Sequence, residues 1–298
     1  MIKRKAIIIS ISNYKLSNRE KRLIKKEKPW GLILFKRNIK SLEQLKKLTK
    51  DIRHTMKDKK FPIFIDEEGG SISRLNQLIN IKVFSQRYFG NLFLNNREIS
   101  IKIYKLYINK ISAILKDVGI NINTVPVLDR RYANTTKILK DRIFSKNIST
   151  IKYLGKVCID QFKKNKILTV MKHVPGHGCA SSDSHKVLPV VNKSQKKLIK
   201  EDIECFKGLN PFFAMTAHVL YKKIDNQNCA THSKKLIHLI RKKIKFTGLI
   251  ISDDISMKAL KKDLKTNALK SLEAGCNLAL YCKGNLNQLT MIIKQIPY

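Results

Sequence analysis

Apolar residues fall along this chain in short runs, each followed by a polar or glycine-containing stretch and then by a segment with helical spacing. Eight runs read as strands: AIIISI (6–11), GLILFK (31–36), PIFIDE (62–67), NINTVPVLD (121–129), ILTVMKH (167–173), FFAMTAHV (212–219), GLIISDD (248–254) and LALYC (278–282). Between most of them apolar positions recur every three or four residues, as in LEQLKKLTKDI, IKIYKLYINKISAILKDV, IKYLGKVCIDQF, KLIHLIRKKI and the run from Met257 to Leu272. That period predicts helices, while the near-continuous apolar strands predict a sheet covered on both faces. The alternation argues for a parallel sheet. Eight repeats in 298 residues favour a closed (β/α)8 TIM barrel over an open doubly wound sheet. No linker-like or low-complexity segment divides the chain, so one domain over 1–298 is expected.

Polar residues collect at the C-terminal ends of these strands: Asp66 on the third, Asp129 on the fourth, Lys172 and His173 on the fifth, His218 on the sixth and Asp253 on the seventh. In a barrel those ends share one rim, where active sites lie, and residues far apart in sequence converge there.

The densest cluster is KHVPGHGCASSDSH, from Lys172 to His185, directly after the apolar run ILTVM. It gathers His173, His177, Asp183 and His185 around glycines, as expected of a glycine-hinged loop delivered by a rigid strand. Asp183 and His185 suit a carboxylate-oriented imidazole that moves a proton near neutral pH. The same four groups could instead bind zinc, although their spacing is not that of HExxH and Lys172 is a poor neighbour for a cation. In GLIISDDIS, consecutive side chains at a strand end point in roughly opposite directions, so one of Asp253 and Asp254 is expected to face the pocket. That one could attack an electrophilic carbon, and the other would cap the following helix. Asp66, Glu67 and Glu68 precede Gly69-Gly70, with Arg74 and Arg142 further on. A strand-tip carboxylate suits vicinal hydroxyls, and each arginine suits a polar substituent or a structural ion pair.

Composition changes this picture little. A hydrophobic content of 43% is ordinary, and no apolar run is long enough to span a bilayer. The opening MIKRKAIIISIS has a basic tip, but its apolar stretch is too short for a signal peptide and reads as the first strand. Six scattered cysteines without a CxxC pair suggest free thiols and a reducing cytosol. The net charge of +39 comes from lysines spread along the whole chain, a pattern expected of compositional drift in an AT-rich genome. Without an RNP motif, zinc knuckle or helix-turn-helix signature, no specific nucleic-acid partner is expected.

Several of these segments together are similar to one family. KHVPGHGCASSDSH resembles the KHFPGHGD…DSH loop of the glycoside hydrolase family 3 β-N-acetylhexosaminidases, FIDEEGGSISR resembles DQEGGxVxR, and GLILFKRN resembles GxILFxRN. NTVPVLD, DRIFS, AMTAHV, AGCNLAL and LIRKKIKFTGLIISDDIS also have counterparts, in order, through almost the whole chain. The resemblance implies Asp253 as nucleophile, His185 as general acid/base and Asp183 as its partner. It implies Asp66, Arg74, Arg142, Lys172 and His173 as ligands of N-acetylglucosamine in the −1 subsite. It further implies a cytoplasmic, monomeric enzyme of peptidoglycan recycling that needs no cofactor and releases N-acetylglucosamine from 1,6-anhydro-N-acetylmuramic acid muropeptides. Its mechanism would be retaining double displacement, with phosphorolysis of the same bond as the alternative. The chain departs from the family pattern at Cys179, Val174, Lys140, Arg130 and Arg131, and in a short C-terminus. Those departures remove no proposed catalytic group; they bear on turnover rate, stability and the shape of the aglycone subsite, where the charge near Arg130 would favour anionic peptide stems.

Overall fold

The computed structural model describes residues 3–298; Met1 and Ile2, at the basic tip of the first predicted strand, lie outside them. Eight parallel strands close into a barrel: β1 (Lys5–Ile9), β2 (Pro29–Leu34), β3 (Ile63–Ile65), β4 (Ile122–Asn123), β5 (Leu168–Val174), β6 (Phe213–Thr216), β7 (Leu249–Asp254) and β8 (Leu278–Tyr281). Each pairs with its neighbour in sequence, and β8 pairs with β1, Tyr281 lying opposite Ile9. All eight predicted runs supply a strand. The fourth pairs over two residues rather than nine, because Pro126 has no N–H to give a ladder; beyond it Val127 makes only an isolated bridge to Lys172.

The continuous apolar runs follow from a two-sided core. Ile8, Ile33, Phe64, Ile122, Val170, Phe213 and Ile251 point into the barrel. Their neighbours Ile7, Ile9, Leu32, Leu34, Ile63 and Ile65 point outward against the helices. Side chains alternate along a strand, so burial on both faces requires every position to be apolar. Trp30, Phe64 and Phe213 fill the N-terminal part of the barrel, with ring centroids 5.5–6.1 Å apart.

The helices are α1 (Asn18–Glu27), α2 (Leu42–Met56), α3 (Gln86–Asn95), α4 (Arg97–Asp117), α5 (Ile148–Lys164), α6 (Gln195–Glu201), α7 (Lys234–Ile244), α8 (Leu264–Ala274) and α9 (Leu286–Ile293), of which α2, α4, α5, α7 and α8 fall on the five segments whose spacing predicts a helix. α2 is typical: Ser41 caps its N-terminus, and Leu45, Leu48 and Ile52 are buried on one face. The run from Met257 to Leu272 is helical only from Leu264. Asp263 caps that helix through the Thr266 N–H, and a hydrogen-bonded turn from Asp254 occupies the preceding residues.

One feature has no counterpart in the pattern of the chain. Val190–Val191 pairs in parallel with Leu220–Tyr221, joining the loop after β5 to the loop after β6. Two-residue strands are too short to leave a periodic signal. No helix among the described residues is long and apolar enough to cross a membrane, and all six cysteines are unpaired.

Phe213 touches both other aromatic rings of the inner layer, so Phe213→Ala is expected to destabilise the barrel by about 3–5 kcal/mol in urea unfolding. A loss below about 1 kcal/mol would mean that the inner layer repacks freely around the missing ring.

Candidate active site

The C-terminal mouth of the barrel holds a cavity of about 260 Å3. Seven of the eight residues expected at the site line it: Asp66, Arg74, Arg142, Lys172, His173, His185 and Asp253. The eighth, Asp183, stands behind His185, with Oδ1 2.9 Å from the ring Nδ1.

Two carboxylates and three cations form its floor. Lys172 Nζ lies 2.6 Å from Asp66 Oδ1 and 2.5 Å from Glu68 Oε1. Arg142 grips Glu68 with two donors at 2.6 and 2.8 Å, and Arg74 donates to Asp66 Oδ2 at 2.5 Å while its guanidinium lies over the Phe35 ring. Thr124 Oγ1 donates to Asp66 at 2.6 Å. Burial alone would raise the Asp66 pKa, but Lys172 and Arg74 hold it well below the usual carboxylate range. Glu67 turns the other way and accepts the N–H groups of Gly69, Arg74 and Leu75, folding the EEGG turn. Glu68 is the member that spacing did not single out; only its adjacency to Asp66 hinted at it.

His173 is oriented from behind. Its Nδ1 donates to Asp129, which is fully buried, at 2.7 Å, so Nε2 is the acceptor and faces Arg142 at 3.5 Å. Asp129 also accepts the His177 N–H at 2.5 Å, anchoring the start of the following loop. Asp129 therefore serves the site without lining it.

Asp253 and Asp254 both line the cavity, against the expectation that only one would. Their carboxylates are used differently. Asp254 accepts from the Ser256 N–H and hydroxyl at 3.0 and 2.6 Å and from the Cys282 N–H at 3.1 Å. It fastens a turn and the end of β8 rather than capping a helix, because the next helix begins ten residues later, at Leu264, with Asp263 as its cap. The Asp253 carboxylate accepts one hydrogen bond, from the Asp254 N–H at 2.7 Å. Burial would raise its pKa, but His218, His173 and that N–H outweigh it and keep the carboxyl below its ordinary value.

The loop glycines allow close approach. A Cβ on Gly178 would sit 1.7 Å from the Arg130 carbonyl oxygen, and one on Gly176 would sit 2.7 Å from Asp202 Cβ. Tyr221 also donates to the Gly176 carbonyl. The loop is thus pinned at its base, while the His185 side chain is 57% exposed. Asp183 Oδ1 accepts both the His185 N–H and its ring Nδ1–H, which lower the Asp183 pKa against the opposing effect of burial.

The zinc reading of this loop is corrected by the same contacts. His173 turns to Asp129, His177 Nε2 to Ser184 at 3.1 Å and His185 to Asp183, so the four groups do not converge. Among the described residues no three His, Cys, Asp or Glu side chains are grouped to hold a metal ion.

Beside the cavity runs a groove of about 790 Å3, with Arg87, Arg131, Lys140 and Lys146 in its lining. Residues 138–142 form the wall between the two: Ile138, Leu139 and Arg142 face the cavity, Lys140 and Asp141 the groove. Asp141, the one carboxylate in the groove, is held by the Ser71 N–H and hydroxyl at 2.8 Å each. Arg130 instead donates to the Lys146 carbonyl and lies over the Tyr132 ring. Val174 is buried in the outer core, and Cys179, in the following loop, is partly buried against that core.

The glycosyl hydrolase family 3 N-terminal domain matches residues 1–297. A β-hexosaminidase of Methylobacillus flagellatus is 30% identical over 281 residues, covering 93% of this chain and 80% of that protein. A β-hexosaminidase of Haemophilus influenzae is 29% identical over 283 residues, covering 93% and 79%. The crystal structure of NagZ from Neisseria gonorrhoeae in complex with N-trifluoroacetyl-D-glucosamine superposes with a TM-score of 0.85 at 28% identity, covering 97% of this chain and 85% of that one.

Replacing Glu68 by Gln leaves Arg142 and Lys172 buried with one carboxylate fewer, so Glu68→Gln is expected to cost about 3 kcal/mol in urea unfolding. A change below about 1 kcal/mol would show that the three cations are solvated well enough to do without it.

Proposed function

The chain belongs to glycosyl hydrolase family 3 and is a β-N-acetylhexosaminidase, and from that premise we propose that it is a retaining, exo-acting β-N-acetylglucosaminidase of peptidoglycan recycling. Its substrate in this reading is a muropeptide in which N-acetylglucosamine is joined to 1,6-anhydro-N-acetylmuramic acid. The enzyme would act in the cytoplasm as a monomeric single domain over 1–298. The observation that carries the chemistry is that an ionised carboxylate, Asp253, and an imidazole outside the charge cluster, His185, line one cavity.

In the proposed reaction the sugar sits over Asp66, Arg74, Arg142, Lys172 and His173, its hydroxyls and acetamido group meeting a rigid array of donors and acceptors. Asp253 attacks the anomeric carbon, and the C–O bond to the leaving sugar breaks as His185 Nε2–H protonates that oxygen. Asp183, holding Nδ1–H, stabilises the imidazolium and sets the tautomer. Water then gives its proton to His185 and its oxygen to the anomeric carbon, releasing Asp253 and N-acetylglucosamine with net retention. The complex of the Neisseria gonorrhoeae protein with an N-acylated glucosamine supports an amino sugar as the occupant. The groove beyond the 138–142 wall supports an anionic peptide stem on the leaving side.

The second reading is phosphorolysis of the same bond. It is favoured by the use of a neutral imidazole where many glycosidases place a second carboxylate, since a neutral base does not repel phosphate. Sugar-1-phosphate formed from substrate in phosphate buffer distinguishes it from hydrolysis.

Two kinetic outcomes test the roles. Asp253→Ala should lower kcat on a chromogenic β-N-acetylglucosaminide by on the order of 10^4-fold, and undiminished turnover would remove the nucleophile assignment. His185→Ala should slow substrates with poor leaving groups by about 100-fold or more and activated aryl glycosides far less. Equal losses on both would mean that His185 acts through structure alone.

A further inference from the structure

His218 follows β6, is fully buried, and has both ring nitrogens engaged, yet it does not line the cavity. Nε2 lies 2.9 Å from the main-chain oxygen of Asp254, an atom that can only accept, so Nε2 carries a proton. Nδ1 lies 2.7 Å from Thr231 Oγ1. That hydroxyl also meets Thr216 Oγ1 at 2.8 Å and the Ala217 carbonyl at 3.2 Å, and Thr216 Oγ1 accepts the Asp253 N–H at 3.3 Å.

One ordering of protons satisfies every donor and the Ala217 carbonyl as well. Asp253 N–H points to Thr216, the Thr216 hydroxyl to Thr231, the Thr231 hydroxyl to the Ala217 carbonyl, and His218 Nδ1–H to Thr231. In that ordering both ring nitrogens donate, and the ring is a cation.

We propose that His218 is a positioning residue for Asp253, fixing the end of β7 through the Asp254 carbonyl and the Thr231–Thr216 chain and serving as a buried positive charge that keeps the Asp253 carboxylate ionised. The inference rests on Asp253 being the nucleophile of the proposed reaction. Among the titratable groups around Asp253 are His173 at the end of β5, His177 and His185 in the loop after it, His218, Asp254 on its own strand, and Cys282 beyond β8. Lys172, Arg74 and Arg142 line the same cavity but are paired with Asp66 and Glu68, and His218 is the charge that favours the ionised Asp253 most. Around His218 stand Cys229, His232 and Asp253. Burial would lower the His218 pKa, but Cys229, the Asp253 charge and the Asp254 carbonyl raise it to about 9.

The test uses the full chain, a chromogenic β-N-acetylglucosaminide, pH profiles of kcat/KM, and free N-acetylglucosamine as a competitive inhibitor. His218→Gln keeps an N–H for the Asp254 carbonyl but no charge. Its acid limb should move up by about 1 pH unit, because an Asp253 without its cation protonates more readily. His218→Ala loses the clamp as well, and kcat should fall by about 100-fold while the inhibition constant of N-acetylglucosamine changes less than about threefold. Thr231→Val, nearly the same shape, removes the link to Nδ1 and Thr216. It should lower kcat by about tenfold and move the acid limb up, and it decides the matter if the His218 variants do not fold. A wild-type acid limb and kcat in His218→Gln would overturn the proposal, as would parallel losses of kcat and inhibitor affinity in His218→Ala. With unfolded His218 variants, a wild-type profile in Thr231→Val would do the same. If Asp253→Ala is itself active, the underlying reaction fails; if it is dead while the His218 and Thr231 variants behave as wild type, only this inference fails.

Discussion

Lys172 set between Asp66 and Glu68 is the contact on which the mouth of the barrel depends. The ammonium is almost fully buried, and the carboxylate it meets at 2.6 Å lies 106 residues earlier in the chain. Ions withdrawn from water are tolerable only when their partners are close and their remaining donors are satisfied. Here that requirement draws in Arg142, Arg74 and Thr124 and fixes their side chains before any ligand arrives. A sugar bound as proposed above would meet a set of polar groups already ordered, so less of its binding free energy would be spent on arranging them. Lys172 stands on β5 and Asp66 and Thr124 come one residue after β3 and β4, so the centre of the cluster is held by the barrel while Glu68, Arg74 and Arg142 join it from loops.

The histidines of the site separate by environment rather than by sequence. His173 is locked by a fully buried aspartate and presents one fixed nitrogen. His185 leans on Asp183 with most of its ring in solvent, where it can exchange protons with water. His177 is buried beside Ser184, and burial and the neighbouring His173 push its pKa down to about 4, which leaves it neutral. Three members of one fourteen-residue stretch thus acquire three different surroundings from their second contacts.

Much of this was legible in the chain before folding. Strands buried on both faces write themselves as unbroken apolar runs, so Ile7, Ile8 and Ile9 announce β1 as clearly as Ile250 and Ile251 announce β7. Polar residues at strand ends pointed to the rim, and seven of eight expected site residues line the cavity. What stayed hidden was pairing. Nothing in DEEGG says that Asp66 and Glu68 share Lys172 while Glu67 faces away, or that Asp254 ties β7 to β8 through the Cys282 N–H. The glycines of GHG look like a hinge in sequence, and only the Arg130 carbonyl and Asp202 reveal them as points of contact. Such facts depend on neighbours from other strands, and local periodicity carries no trace of them.

The seam between β1 and β8 joins residues about 270 positions apart, such as Ile9 and Tyr281. During synthesis the first strand is therefore made long before β8, and its edge on that side stays unpaired until β8 has followed.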